Sequence, residues 1–312
     1  MKAKSITKVI RVNKDTMEKM NTYYEDKKRD KTPPYAVFQA QDNDTVITLY
    51  TSGKAMFQGI SADIDSDMWL AIQGGMDFEF DEKAKDKKKE VEITLPININ
   101  SIGSDEVGTG DYFGPIVVTA SYVNKENIEF LEELGVRDSK KLSDEKILKI
   151  VPKIIKKIPY KTIILSNKDY NKYYGKDMNM NKIKAILHNK VLCEITDDSK
   201  YNYDYIVIDQ FESEKSFYNH IEDATKKIKD VTFITKAEDK CLSVAVSSLI
   251  SRYVFVTQMD KLSDKYDIFL PKGASSYVDD IAIKLVQKHG VDILNDIAKL
   301  NFSNTERIMK FK

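Results

Sequence analysis

Ser104-Asp105-Glu106-Val107-Gly108-Thr109-Gly110-Asp111-Tyr112-Phe113-Gly114-Pro115 is the stretch on which the reading of this chain turns. An acidic pair ends an apolar-polar strand signal and runs into a turn too rich in glycine for a helix, with Ile116-Val117-Val118 beyond it. Two carboxylates at a strand end, beside a backbone that a ligand can approach closely, suit divalent-metal and phosphate chemistry. Adjacent side chains of an ideal strand face opposite ways. Asp105 and Glu106 can therefore share an ion only if the strand ends or bends between them, and Gly108 and Gly110 allow that. On its own the pair is also what an ordinary acidic turn looks like, so other segments must supply more ligands.

Two later segments carry candidates. Asp209 follows the buried-strand pattern Tyr205-Ile206-Val207-Ile208, with Glu212 and Glu214 as nearby rivals and a helix-start cap as its plain structural role. Glu238 follows Phe233-Ile234-Thr235 and precedes a small-residue apolar helix in which Ser243, Ala245, Ser247 and Ser248 permit close approach to a sheet; Asp239 is the rival acid. Four carboxylates converging from three strand ends repel strongly unless cations sit among them. Such a set can hold two divalent ions spanning a scissile phosphate.

The rest of the chain sets bounds. Its 312 residues suit one large domain or two, and 49 basic residues balance 49 acidic ones. Residues 1–31 are less even, with 10 Lys/Arg against 5 Asp/Glu, a positive excess that fits either a solvated face or a polyanion contact. Cys193 and Cys241 lack metal-ligand spacing, and His188, His220 and His289 are scattered, which argues against zinc and for buried thiols in a reducing compartment. No apolar run is expected to span a membrane, and a cytoplasmic location is expected.

Pattern divides the chain into a small α/β unit at 1–75, a charged linker at 76–96 and a second unit at 97–312. In the first, strands are expected at 6–10, 35–39, 45–50 and 54–60, a helix at 14–29, and either element at 68–72, with turns at Asn43-Asp44 and Ser52-Gly53. In the second, strands at 99–104, 116–123, 161–166, 203–208 and 231–235 alternate with helices at 144–155, 179–195, 214–227, 242–262, 278–288 and 293–300. The natural solution is an α/β fold whose mixed sheet is covered by helices.

With those positions named, the second unit resembles the ribonuclease H type 2 group, most closely the ribonuclease HIII family. The resemblance rests on 105–115, on Arg137-Asp138-Ser139-Lys140-Lys141-Leu142-Ser143, on Val207-Ile208-Asp209-Gln210-Phe211 and on Lys236-Ala237-Glu238 through Ser251-Arg252-Tyr253. It implies a ribonuclease H-like mixed sheet flanked by helices, preceded by a small N-terminal domain with a fold similar to the TATA-binding protein. The implied activity is endonucleolytic cleavage of RNA within RNA–DNA hybrids, leaving 5′-phosphate and 3′-hydroxyl ends. Asp105, Glu106, Asp209 and Glu238 would be ligands of Mg2+ or Mn2+. A run of ribonucleotides would be needed, and a monomer is expected.

Several residues are candidate substrate contacts. The Gly108-Thr109-Gly110 backbone can meet sugar 2′-hydroxyls, which distinguish RNA from DNA. Tyr112 can stack on a base or sit in a core. Ser139, Lys140 and Lys141 precede an amphipathic helix that Ser143 or Asp144 can cap. Lys236, Lys240 and Arg252 are further basic candidates, and Lys272 with the following helix start can meet a phosphate.

Overall fold

The computed structural model describes residues 6–29, 32–42, 45–59, 61–74, 95–96, 99–137, 142–175, 177–197 and 201–311. The chain divides into two compact units, one in its first 91 residues and one in the remainder. Nearly all of the expected linker, the turn at Asn43-Asp44 and the candidates Ser139, Lys140 and Lys141 lie outside the described residues.

In the first unit, β1 (Ile6–Arg11), α1 (Lys14–Tyr23), β2 (Ala36–Asp42), β3 (Thr45–Tyr50), β4 (Lys54–Gly59) and α2 (Ala62–Gln73) follow in order. The sheet is antiparallel with order β1-β4-β3-β2. Alternation decides its inner face: Phe38, Ala40, Ile47, Leu49, Ala55 and Phe57 pack with Met20, Tyr24 and Trp69 of the helical segments. The Trp69 indole N–H donates to the Tyr24 hydroxyl at 2.9 Å, so both polar atoms of that buried aromatic pair are satisfied. Asn13 caps α1 by accepting from Thr16 N at 2.9 Å. The 68–72 stretch, open between strand and helix in the sequence, is helical.

The second unit is larger. Its elements are β5 (Ser101–Val107), β6 (Ile116–Val123), α3 (Ile128–Glu133), α4 (Asp144–Ile154), β7 (Tyr160–Leu165), α5 (Asn167–Tyr173), α6 (Met180–Thr196), β8 (Tyr205–Asp209), α7 (Glu214–His220), β9 (Val231–Ile234), α8 (Leu242–Tyr266), α9 (Ser276–His289), α10 (Ile293–Ile297) and α11 (Ser303–Met309). The sheet has order β7-β6-β5-β8-β9. Its first three strands form an antiparallel meander, and β8 and β9 add in parallel beside β5. The mixed sheet flanked by helices expected from the sequence is therefore present.

Helix α8 bears on the expectation that no apolar run spans a membrane. It is long and apolar enough, by length and composition, to cross a membrane. Two thirds of its apolar window (67%) is buried within the unit, and the cause is its close packing on the sheet. A Cβ at Gly103 would run into the Val244 backbone nitrogen and Ser243. Glycine at 103 thus lets strand and helix backbones nearly touch. Serines replace the lost side-chain packing with hydrogen bonds. Ser243 Oγ meets Ser101 Oγ at 2.8 Å, Ser247 Oγ donates to Gly103 O at 2.8 Å, and Ser251 Oγ donates to Asp105 O at 3.2 Å.

Candidate active site

The acids gather at the carboxyl ends of three parallel neighbours, β5, β8 and β9, which is where open α/β sheets bind ligands. Pairing of β5 with β8 stops at Ser104↔Ile208, so Asp105, Glu106 and Asp209 stand just past the shared ladder. β5 itself neither ends nor bends between the acids: Asp105 pairs Thr119 and Glu106 pairs Val118 in unbroken register with β6. The expected break in the strand is absent and the two side chains leave β5 on opposite faces, yet past the end of the β8 ladder both carboxylates remain close enough to act on each other and on Asp209. Asp105 is bonded to Ser248 of α8, whereas Glu106 meets α6.

Asp209 is tied to the third segment. Its Oδ1 accepts the Ala237 N–H at 2.8 Å, and its carboxyl also hydrogen-bonds Glu238. Lys236 makes this reach possible by adopting a left-handed conformation (φ 55°), which turns the chain sharply from β9 into a short 3-10 helix carrying Glu238. Glu212, a rival in the sequence, instead accepts from or pairs with His220 at 3.0 Å, away from this cluster.

Electrostatics unite the four acids. Burial raises the Asp105 pKa well above its ordinary value, and the charges of Glu106 and Asp209 push it further. Asp209 is pushed up to about 6 by burial, with Glu238 and Glu106 adding repulsion and the Ala237 N–H opposing it. Glu106 behaves differently. Burial raises it, but the His188 hydrogen bond and the charges of His188 and Lys184 overcome this and hold it at about 2. Lys184 Nζ lies 2.5 Å from Glu106 Oε1, and His188 Nε2 lies 2.9 Å from Oε2. Sequence patterns gave no role to Lys184 or His188. Their four-residue spacing on a helix flanked by buried Ile183, Ala185 and Leu187 was the available signal.

Among the described residues, no three His, Cys, Asp or Glu side chains are already drawn to one coordination point. The donor set nonetheless fits a hard divalent cation: four carboxylates, all oxygen donors, at the ends of neighbouring strands. Two of them are destabilised as anions by their surroundings, a cost that a bound cation reverses.

The turn at 108–114 separates its two candidate glycines. Gly108 has φ +97°, and a Cβ there would meet the Pro115 carbonyl and the Phe255 ring. Its glycine is demanded by packing rather than by a ligand. Gly110 is exposed, and a Cβ there would meet nothing within 4 Å. Only Gly110, with half-buried Thr109 beside it, leaves room for close approach. Tyr112 corrects an expectation: its ring is fully buried against Phe113 and Phe302 and its hydroxyl meets Thr305 at 3.1 Å, so it has no face on which to stack a base.

The basic candidates divide similarly. Gly273 N donates to Asp111 Oδ1 at 2.6 Å, and Tyr112 N donates to Gly273 O at 2.9 Å. The Lys272 loop is thus joined to the glycine turn despite its distance in sequence. The Lys272 ammonium does not stand alone, however; it pairs with Asp144, which also holds Arg252 at 2.8 Å. Lys236 is exposed next to Glu238. Ser143, not Asp144, caps α4 by accepting from Lys146 N at 3.3 Å. A further residue unseen in the sequence is Lys299, fully buried, whose Nζ donates to the carbonyls of Asp111 at 2.8 Å and Gly114 at 2.5 Å. Burial lowers its pKa to about 7.

Comparison with known proteins places this geometry. A family model described as ribonuclease HII matches residues 102–305, and a model described as a domain of unknown function matches 7–75. Ribonuclease HIII of Geobacillus kaustophilus is 38% identical over 303 residues, covering 96% of this chain and 97% of that protein. The Bacillus subtilis ribonuclease HIII is 39% identical, covering 97% of this chain and 96% of its own length. A solved structure described as Bst-RNase HIII in complex with Mn2+ aligns with TM-score 0.68 and 36% identity over 98% of this chain and 99% of that one. Strand-end acids, the sheet that carries them and near-complete coverage by these relatives agree: the chain belongs to the ribonuclease HIII family.

Proposed function

We propose that Asp105, Glu106, Asp209 and Glu238 form the metal-binding and catalytic site of this ribonuclease H. As a family member the chain hydrolyses the RNA strand of RNA–DNA hybrids endonucleolytically, with divalent metal ions. The observation that carries the site assignment is the electrostatic coupling of four acids from three strand ends, with Asp105 and Asp209 both raised by burial and by the charges of neighbouring acids. Divalent cations held by Asp105, Glu106, Asp209 and Glu238 would supply activation of water and stabilisation of the leaving oxygen for an in-line displacement. The chain's own residues fix the arrangement. Ala237 N–H orients Asp209, Ser248 orients Asp105, and His188 orients Glu106. Cleavage in this manner leaves 5′-phosphate and 3′-hydroxyl ends, and Mg2+ or Mn2+ serves as the ion. The Mn2+ in the Bst-RNase HIII structure supports that choice.

The test is cleavage of an end-labelled RNA–DNA hybrid in Mg2+ or Mn2+. Asp105→Asn is expected to bind the hybrid but not cut it, and retained cutting would reject the assignment. A duplex carrying one ribonucleotide, run beside a continuous RNA strand, tests the requirement for a run of ribonucleotides.

The N-terminal unit is read as a hybrid-binding platform with a fold similar to the TATA-binding protein. Its antiparallel sheet supports this reading, with α1 and α2 packed against one face and Val9 and Val37 exposed on the other. So does the basic excess of residues 1–31. Deleting residues 1–75 should weaken hybrid binding at every salt concentration tried; unchanged affinity would remove the platform role. Buried, free Cys193 and Cys241 fit a reducing, cytoplasmic setting.

A further inference from the structure

The carboxylate of Glu106 already has a partner on each oxygen. His188 holds Oε2 at 2.9 Å, and it is itself held by Ser104 Oγ on Nδ1 at 2.8 Å. The imidazole is fully buried and stacks on Phe211 with ring centroids 5.3 Å apart. That side of Glu106 is fixed. The other side is not. Lys184 reaches Oε1 at 2.5 Å along four rotatable bonds, and its ammonium rests over the same Phe211 ring at 3.9 Å. Lys184 keeps a sliver of exposure (8%), whereas His188 has none.

These partners have different consequences for a divalent ion. An ammonium at hydrogen-bond distance from Oε1 occupies the approach to a carboxylate oxygen that the proposed site assigns to metal, and like charges so close repel. His188 cannot leave without unstacking and abandoning Ser104. Lys184 can swing outward along its own stem.

We propose that Lys184 is a tethered counter-cation: in the metal-free protein it neutralises Glu106, and a divalent ion displaces it while His188 retains its hold. The inference rests on the carboxylate-site reading above. It makes Lys184 a positioning residue that sets metal affinity, not a catalytic one. By the same logic the protein tolerates an empty acidic pocket at Glu106 because it supplies its own positive charge there, while Asp105 and Asp209 rely on incoming metal.

Calorimetric titration of the full chain with Mn2+, in the absence of substrate, tests this. Removing the competing cation in Lys184→Met should tighten Mn2+ binding by about tenfold, the scale on which one nearby opposite charge changes a carboxylate's affinity for a cation. Lys184→Arg, which keeps the charge, should bind Mn2+ as the unaltered protein does. Equal or weaker binding by Lys184→Met overturns the proposal, because a lysine that supports the metal would produce that sign. A second measurement needs no variant. Reductive methylation of Lys184 in the unaltered protein, followed by peptide mass mapping, should accelerate on saturation with Mn2+; an unchanged rate also overturns it. The unaltered protein separates this inference from its foundation. If it shows no Mn2+ binding sensitive to Asp105→Asn, the metal-site reading falls and this inference with it. If such binding is present but indifferent to position 184, only the inference falls.

Discussion

The two halves of β5 face the same helix with opposite chemistry. In the first half, Ser101 and Gly103 meet Ser243 and Ser247 through neutral hydrogen bonds at 2.8 Å. Buried polar groups there find partners inside the protein, and hydrogen-bonded hydroxyls carry no charge to be desolvated. In the second half, Asp105 is buried as an acid that its neighbours make costly to ionise, with Asp209 in the same condition. One half is complete without a ligand, and in the other the proposed metal site would supply what is missing. Polar burial alone therefore does not mark a functional site; burial of charge whose compensation lies outside the chain does.

The sharpest way to break this contrast is to neutralise the second half. Asp105→Asn should lower hybrid cleavage by at least about 10²-fold, the scale for losing a charge-stabilising group in a transition state. Its metal-free melting temperature should hold or rise, because a strained anion has been removed. A parallel loss of folding and cleavage would erase the distinction between the halves.

Next in size is the turn that follows. Gly108→Ala imposes a side chain on a backbone of φ +97° and against the Pro115 carbonyl, so urea unfolding should show a loss exceeding about 2 kcal/mol. Gly110→Ala should cost less than about 0.5 kcal/mol, since the space is open, while weakening hybrid affinity. Equal stability losses would mean that both glycines serve packing.

The neutral half should respond to truncation in stability alone. Ser247→Ala removes the hydroxyl that donates to Gly103 O and meets Ser121 Oγ at 3.1 Å, and an unfolding cost of about 1–3 kcal/mol is expected with little change in metal affinity.

The last comparison is a dependence on pH. Asp209 carries a folded pKa of about 6 against an ordinary 3.8. Between those values the folded protein holds more protons than the unfolded chain, so metal-free stability should fall as pH rises through that window and level off above it. Saturating Mg2+ should flatten the slope. Thermal melts from pH 4 to 7.5, with and without the ion, measure it; a metal-free curve rising across the Asp209 window would contradict the assigned direction.

What the sequence disclosed follows from how local the signals are. Asp105, Glu106, Asp209 and Glu238 each follow a short apolar strand pattern, so their position at strand ends was legible, as was the close approach of α8. Convergence was not, because adjacency of β5, β8 and β9 is a matter of topology. The roles of Gly108 and Tyr112 depended on Phe255 and Phe302, far along the chain. Helices α3, α5 and α11 are too short to show a 3.6-residue period. The expected helix 214–227 stops at His220, because Asn189 of α6 bonds Lys226 O and Ile228 N at 2.8 Å each and holds that segment out of helical form. Lys184 and His188 escaped notice because a helix rich in buried apolar residues looks like core from its own sequence, and their shared partner Glu106 lies on another element.

The seam between β5 and α8 works as a vernier. Four residues of helix advance about 6.0 Å and two residues of strand about 6.6 Å, so the two scales nearly coincide. Positions 243, 247 and 251 mark one scale and 101, 103 and 105 the other, joined by contacts of 2.8, 2.8 and 3.2 Å. The last graduation falls on Asp105. The depth at which that acid sits along the sheet is thus measured off by a helix, and adding or removing one residue within that span of α8 would re-index the whole seam.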